Sequence, residues 1–181
     1  MSYIFGDRIT LRDYQNEDLE HIRGWVNDPD ITHTLSDQFL YPHSRNETES
    51  FFRTMVEGKS SNRSFIIAFR ESLEYLGQID LYRIDWKNRF AYLAIVIGKK
   101  DQLGKGYGSE AIKVLQKFVF EELNLNRLEL EVYEYNERAY KSYVKCGFKE
   151  EGRSRNKIYK KGKYWDVICM SILKDEFDRR N

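Results

Sequence analysis

Three glycines at alternate positions constrain this chain more than any other feature. Gly104, Gly106 and Gly108 fall in Leu103-Gly104-Lys105-Gly106-Tyr107-Gly108-Ser109, between an apolar run (Phe90 to Ile97) and a helical pattern with Ala111, Ile112, Leu115, Phe118 and Val119 on one face. Glycine tolerates positive φ, so successive backbone N–H groups in such a loop can converge on one point. The helix that follows adds partial positive charge at the same place. A diphosphate is the natural guest of that cradle. The spacing is not that of a P-loop, and the segment follows a β-meander instead of opening a Rossmann unit. Taken alone, the glycines also fit a solvated turn.

The elements around the loop predict a fold class. Ile9 and Leu11 alternate with polar neighbours as a first strand. Asn16 is placed to cap a helix whose apolar face is Leu19, Ile22, Trp25 and Val26, ending at Asn27-Asp28-Pro29. Residues 30–43 read as an irregular loop. Ser44 and Glu47 fit a capping box opening a second helix with Phe51, Phe52, Met55 and Val56. Three strands follow (Ser64 to Phe69, Leu76 to Ile84, Phe90 to Ile97), then the loop and its helix. A strand with Leu128, Leu130 and Val132 precedes a fourth helix with Tyr140, Tyr143 and Val144, ending at Gly147. Strands near Lys149–Tyr159 and Tyr164–Leu173 close the chain. This order predicts a mixed α/β (α+β) fold, with a central twisted sheet of about seven strands flanked by about four helices.

Composition narrows the function classes. At 181 residues the chain fits one domain, 1–181. Hydrophobic residues make up 41% and charged residues 33%, so a substantial core is expected despite a mean hydropathy of −0.70. Lys+Arg (30) and Asp+Glu (29) nearly cancel, which speaks against a nucleic-acid partner. The basic run Arg153, Arg155, Lys157, Lys160, Lys161 and Lys163 reads as a solvated face. Cys146 and Cys169 have no metal-ligand or disulfide spacing, and both are expected as buried free thiols in a reducing compartment. The segment Met1–Asp7 carries no leader pattern, and no apolar run is long enough for a membrane helix. A cytoplasmic protein with no membrane partner is expected.

A second motif turns the glycine loop into a resemblance. Asn136-Glu137-Arg138-Ala139-Tyr140, continuing through Tyr143 to Gly147-Phe148, follows the loop in the order and framework of the Gcn5-related N-acetyltransferase (GNAT) superfamily. The likeness covers roughly residues 7–173. Arg8-Ile9-Thr10-Leu11-Arg12, Trp25-Val26-Asn27-Asp28-Pro29 and Gly162-Lys163-Tyr164-Trp165-Asp166-Val167 are similar to the branch holding ribosomal-protein N-terminal and spermidine acetyltransferases.

The resemblance implies an acyltransferase using acetyl-CoA as co-substrate. By that likeness Ile95, Val96 and Ile97 lie on a splayed strand that pairs with the pantetheine arm. Backbone amides of Leu103, Gly104, Lys105, Gly106, Tyr107, Gly108 and Ser109 would hold the pyrophosphate. Asn136 stands where relatives contact coenzyme A, and it also suits a plain helix N-cap. Tyr143 falls at the position of an acid that protonates the departing thiolate. Two departures stand out. Leu103 opens the loop where Gln or Arg is common, and Tyr92 occupies the place of a frequent glutamate base. A phenol is a poor base at neutral pH, so Asp80, Glu131 and His33 remain as candidates for that role.

The reaction so implied is direct attack of a primary amine on the thioester in a ternary complex. The acceptor could be a protein N-terminus, a polyamine, an amino sugar or another small amine or peptide. No metal is needed. The acceptor, the acyl chain length and the oligomeric state, a homodimer included, are left open. The missing glutamate keeps a non-catalytic acyl-CoA-binding module as the alternative.

Overall fold

The computed structural model describes residues 3–180. Met1 and Ser2, which open the segment read for a leader, lie outside the described residues. The elements in chain order are β1 (Ile4–Phe5), β2 (Ile9–Arg12), α1 (Asp18–Trp25), α2 (Pro29–Thr32), α3 (Arg45–Val56), β3 (Arg63–Phe69), β4 (Tyr75–Asp85), β5 (Phe90–Ile97), α4 (Tyr107–Lys117), β6 (Arg127–Tyr133), α5 (Glu137–Lys145), β7 (Lys149–Lys160), β8 (Lys163–Leu173) and α6 (Lys174–Asp178). The strands form one sheet in the order β1-β2-β3-β4-β5-β6-β8-β7. This is the mixed class that the sequence pattern predicted, with one further strand and two further helices. Those extra elements, β1, α2 and α6, are two, four and five residues long, too short to show a period.

Packing divides the described residues into two compact units, one within 3–80 and 95–111 and the other within 81–94 and 112–180. The first unit is built on a core of Tyr14, Ile22, Trp25, Phe52, Ile66 and Tyr75. The α1 apolar face is as the periodicity predicted, but its start is not. Asn16 does not cap it; the helix begins at Asp18, with Glu17 ahead of it making no side-chain cap bond. Asp18 turns inward, where its two carboxylate oxygens take Arg12 Nη1 and Nη2 at 2.7 Å each. A buried guanidinium demands a carboxylate, and that demand outweighs the cap.

Pro29 starts a helix as well as ending one. Asp28 caps α2 by accepting from the Asp30 N–H at 2.9 Å, with Pro29 in the first turn, the arrangement in which proline's missing donor is harmless. The stretch read as irregular therefore holds α2 and a 3₁₀ turn at Asp37–Phe39. The capping box on α3 is present: Ser44 Oγ accepts from Glu47 N, and Glu47 Oε2 accepts from Ser44 N. Of the α3 pair, Phe52 is buried while Phe51 is exposed.

In the second unit β6 pairs antiparallel with β8 from Arg127↔Leu173 to Tyr133↔Val167, and β7 pairs with β8 on its other side. The α4 helix runs into a π turn at Phe118–Glu122 that buries Val119 and Phe120. Phe120 meets Phe177 of α6 at 5.1 Å between ring centres. Cys146 is buried as expected, but Cys169 is only half-buried. Acids answer the basic run, with Arg153 on Glu150 and Lys157 on Glu131. Among the described residues, no helix is long and apolar enough to cross a membrane.

Candidate active site

The glycine loop belongs to the first unit. Gly104 and Gly106 take φ of +77° and +87°, so the conformation that alternate glycines permit is the one adopted. Gly104, Lys105 and Gly106 are exposed, while Leu103, Tyr107, Gly108 and Ser109 are half-buried. The loop leads straight into the first turn of α4, the end of the helix that carries partial positive charge. A Cβ added at Gly108 would meet the side chains of Ile97 and Ile95 at 3.7 and 3.9 Å, so the α4 start packs on the end of β5. The residues present suit a diphosphate: backbone donors, positive φ and a helix N-terminus coincide.

β5 is closely covered on one edge. A Cβ at Gly77 would lie 2.1 Å from the Val96 carbonyl oxygen, and Gly98 N donates to Leu76 O at 2.9 Å. In the second unit, β5 pairs in parallel with β6 from Phe90↔Arg127 to Tyr92↔Glu129.

Asp80 closes the first unit's stretch of β4. Burial pushes its carboxyl from the ordinary 3.8 up to about 6, and the Ser64 hydroxyl works in the opposite direction. Such a group is largely ionised at neutral pH yet close enough to its pKa to take a proton. Beside it runs a buried polar chain that sequence reasoning missed. Trp25 Nε1 donates to Tyr75 Oη at 2.8 Å, Tyr75 donates to Gln78 Oε1 at 3.1 Å, and Gln78 Nε2 donates to Tyr14 Oη at 2.9 Å. Indole can only donate, and this sets the direction of the whole chain. Burial, then the Asp80 charge, holds the Tyr14 phenol well above its ordinary pKa. A polar residue two positions before Asp80 on an apolar strand was the available signal.

In the second unit Asn136 caps α5, its Oδ1 accepting from Ala139 N at 3.3 Å. Tyr143 is buried on the same helix and meets Phe148 edge-on at 6.0 Å. Burial raises its pKa, with smaller contributions from Cys146 and Tyr82, so the phenol keeps its proton at neutral pH. Glu131 is exposed and paired with Lys157 at 3.1 Å. Tyr92 bonds to Glu129, which raises its pKa further. Both raised phenols are worse bases than free tyrosine, and the ion-paired Glu131 is held by a cation. Of the base candidates, Asp80 is the one with a perturbed carboxyl. His33 Nδ1 lies 2.9 Å from Pro29 O. No group of three or more His, Cys, Asp or Glu among the described residues could hold a metal ion.

Comparison with known proteins identifies the family. A family model described as an acetyltransferase (GNAT) domain matches residues 8–149. The chain is 30% identical over 179 residues to the SPbeta prophage-derived uncharacterized N-acetyltransferase YokL of Bacillus subtilis (strain 168), covering 98% of this chain and 97% of that protein. It is 26% identical to the spermidine N(1)-acetyltransferase of Escherichia coli (strain K12), covering 93% and 88%. The crystal structure of spermidine N-acetyltransferase from Vibrio cholerae in complex with CoA and spermine superposes with a TM-score of 0.81 at 27% identity, over 94% of this chain and 98% of that one. With the family model spanning most of its length, the chain belongs to the acetyltransferase (GNAT) family and is an N-acetyltransferase.

Proposed function

We propose that residues 1–181 act as a single domain transferring acetyl from acetyl-CoA to a small primary amine by direct attack. The observation that carries this is the positive φ at Gly104 and Gly106 at the start of α4. Acetyl-CoA supplies an activated thioester. In this reading backbone N–H groups from Gly104 to Ser109 hold the diphosphate, the Leu103 N–H being spent on the Lys100 carbonyl at 3.2 Å, and Ile95, Val96 and Ile97 offer main-chain groups to the pantetheine arm. Asn136, already committed through Oδ1 to its cap, has its amide nitrogen left for the cofactor. Asp80 receives the proton from the ammonium, with Glu131 as the weaker candidate. Tyr143, a phenol that burial keeps protonated at neutral pH, donates its proton to the departing thiolate.

Relatives named for spermidine support a small amine as acceptor, with polyamines first to be tried. The test is thiol release from acetyl-CoA against polyamines, amino sugars, aminoglycosides and peptides with free N-termini. Turnover with one class above the rest is the expected result. Binding of acetyl-CoA without turnover on any of them would favour the non-catalytic module, the reading that Tyr92 in place of a glutamate supports.

A further inference from the structure

The glycine loop is tied to a side chain from a distant strand. Arg8, the residue before β2, lies 102 positions before Glu110 in the chain, yet its Nε donates to Glu110 Oε2 at 2.8 Å. Its backbone N–H donates to Glu110 Oε1 at 2.7 Å, and the Ile9 N–H reaches the same oxygen at 3.3 Å. Arg8 Nη1 donates to the Lys105 carbonyl at 3.1 Å, and the guanidinium lies 4.6 Å from the centre of the Tyr107 ring. These bonds use Nε and Nη1. Nη2 is left at the loop itself, 3.3 Å from where a Cβ on Gly106 would be. The side chain is half exposed.

The other cations near the loop are differently placed. Lys99 is bound to Glu74, and Lys100 to Asp30 and Asp28. Lys105 Nζ has only the Gln102 amide oxygen. Leu103 opens the loop with no charge at all. Glu110 does pair with Arg8, but its carboxylate is shared between two backbone N–H groups and Nε. It therefore aims the guanidinium more than it cancels it.

We propose that Arg8 is part of the phosphate-binding site, its Nη2 edge donating to the diphosphate of coenzyme A over Gly106. A rigid guanidinium fork matches phosphate oxygens, and here the fork is held by Glu110 and by the Tyr107 ring before any ligand arrives. Arg8 thereby supplies, from just before β2, the positive side chain that Leu103 does not. This rests on the loop being the diphosphate site of the proposed function.

The test is calorimetric binding of coenzyme A and 3′-dephospho-coenzyme A to the wild-type chain, Arg8→Gln and Arg8→Lys, at several salt concentrations. Arg8→Gln is expected to weaken both ligands about ten- to hundredfold, the range for a charge-assisted hydrogen bond. Arg8→Lys should recover part of the loss. The slope of log affinity against log salt should be shallower in Arg8→Gln, because one cation fewer meets the phosphates. An unchanged slope, or wild-type affinity in a folded Arg8→Gln chain, would show that Arg8 only braces the loop, and the proposal fails. Loss with coenzyme A but not with the dephospho form would move the contact to the 3′-phosphate and overturn the diphosphate assignment. Should Arg8→Gln not fold, Arg8→Met, which keeps an aliphatic stem against Tyr107 but carries no charge, takes its place in the same salt-slope comparison. Absence of binding by the wild-type chain would instead sink the reading of the loop itself.

Discussion

Gln78 gives its side-chain N–H to the Tyr14 hydroxyl at 2.9 Å, closing a buried chain that starts at the Trp25 indole. Gln78 is 4% exposed and Tyr14 7%, so neither can trade its partner for bulk water. Tyr14→Phe leaves the Gln78 donor unmatched, and Gln78→Leu strips both Tyr14 and Tyr75. Each is expected to cost about 1–3 kcal/mol. The double variant should cost less than the sum, because removing both partners leaves no orphaned amide on that bond. Urea midpoints for the three variants check this, and strict additivity would show the chain to be uncoupled.

Asp80 should trade stability for activity. Its folded pKa, about 6, lies above the ordinary 3.8, so the folded state holds the proton more tightly than the unfolded one. The sign follows: stability falls as pH rises from about 4 through about 6, and the ionised carboxylate opposes folding above that. A pKa raised that far corresponds to about 3 kcal/mol as an upper value. Asp80→Asn is therefore expected to stabilise the protein at pH 7.5 by about 1–3 kcal/mol, an advantage that fades below about pH 4. The same variant should lose turnover and the acid limb of its kcat/KM profile near pH 6 while still binding acetyl-CoA. Glu131→Gln, which breaks only an exposed pair with Lys157, should change activity little. If Asp80→Asn turns over normally, the proton goes elsewhere.

Tyr143→Phe removes a hydroxyl from a buried ring and leaves the Phe148 contact in place. If the phenol protonates the leaving thiolate, turnover should drop by roughly 10², the low end for a positioned acid, because burial makes this phenol reluctant to give up its proton. Acetyl-CoA affinity should hold. Tyr140→Phe, which cuts only a bond to Glu150 at 3.1 Å, serves as the control. Wild-type turnover in Tyr143→Phe, with chemistry shown to limit the rate, assigns the residue to packing.

Two glycines should fail for different reasons. Gly77→Ala puts a methyl 2.1 Å from the Val96 carbonyl oxygen, a contact that β5 can relieve only by shifting, and the apoprotein should lose melting temperature. At Gly106 the nearest atom to an added Cβ is flexible Arg8 Nη2 at 3.3 Å, but φ is +87°. Gly106→Val should cost about 1–3 kcal/mol in backbone strain and abolish the thermal shift that acetyl-CoA produces in the wild-type chain. A full shift in folded Gly106→Val would remove the loop from the site.

Local chemistry was legible in the sequence because it depends on neighbours along the chain. The Ser44–Glu47 box, the α1 face, the glycine loop before α4 and the Asn136 cap are each written within a few residues, and each is present. What spans the chain was not legible. Asp18 looks like a first-turn acid until Arg12 is seen to need it, and Asp80 looks like a solvated strand residue until burial lifts its pKa. Gln78 carries no hint of Tyr14, 64 residues away, nor Arg8 of Glu110 at a distance of 102. Periodicity reports which face of an element is apolar, and it says nothing about which polar groups from remote strands are buried together. The buried pairings, Arg12 with Asp18 and Gln78 with Tyr14, come from desolvation: where the sheet excludes water an unpaired donor or charge is costly, and its partner comes from whatever the fold has brought near.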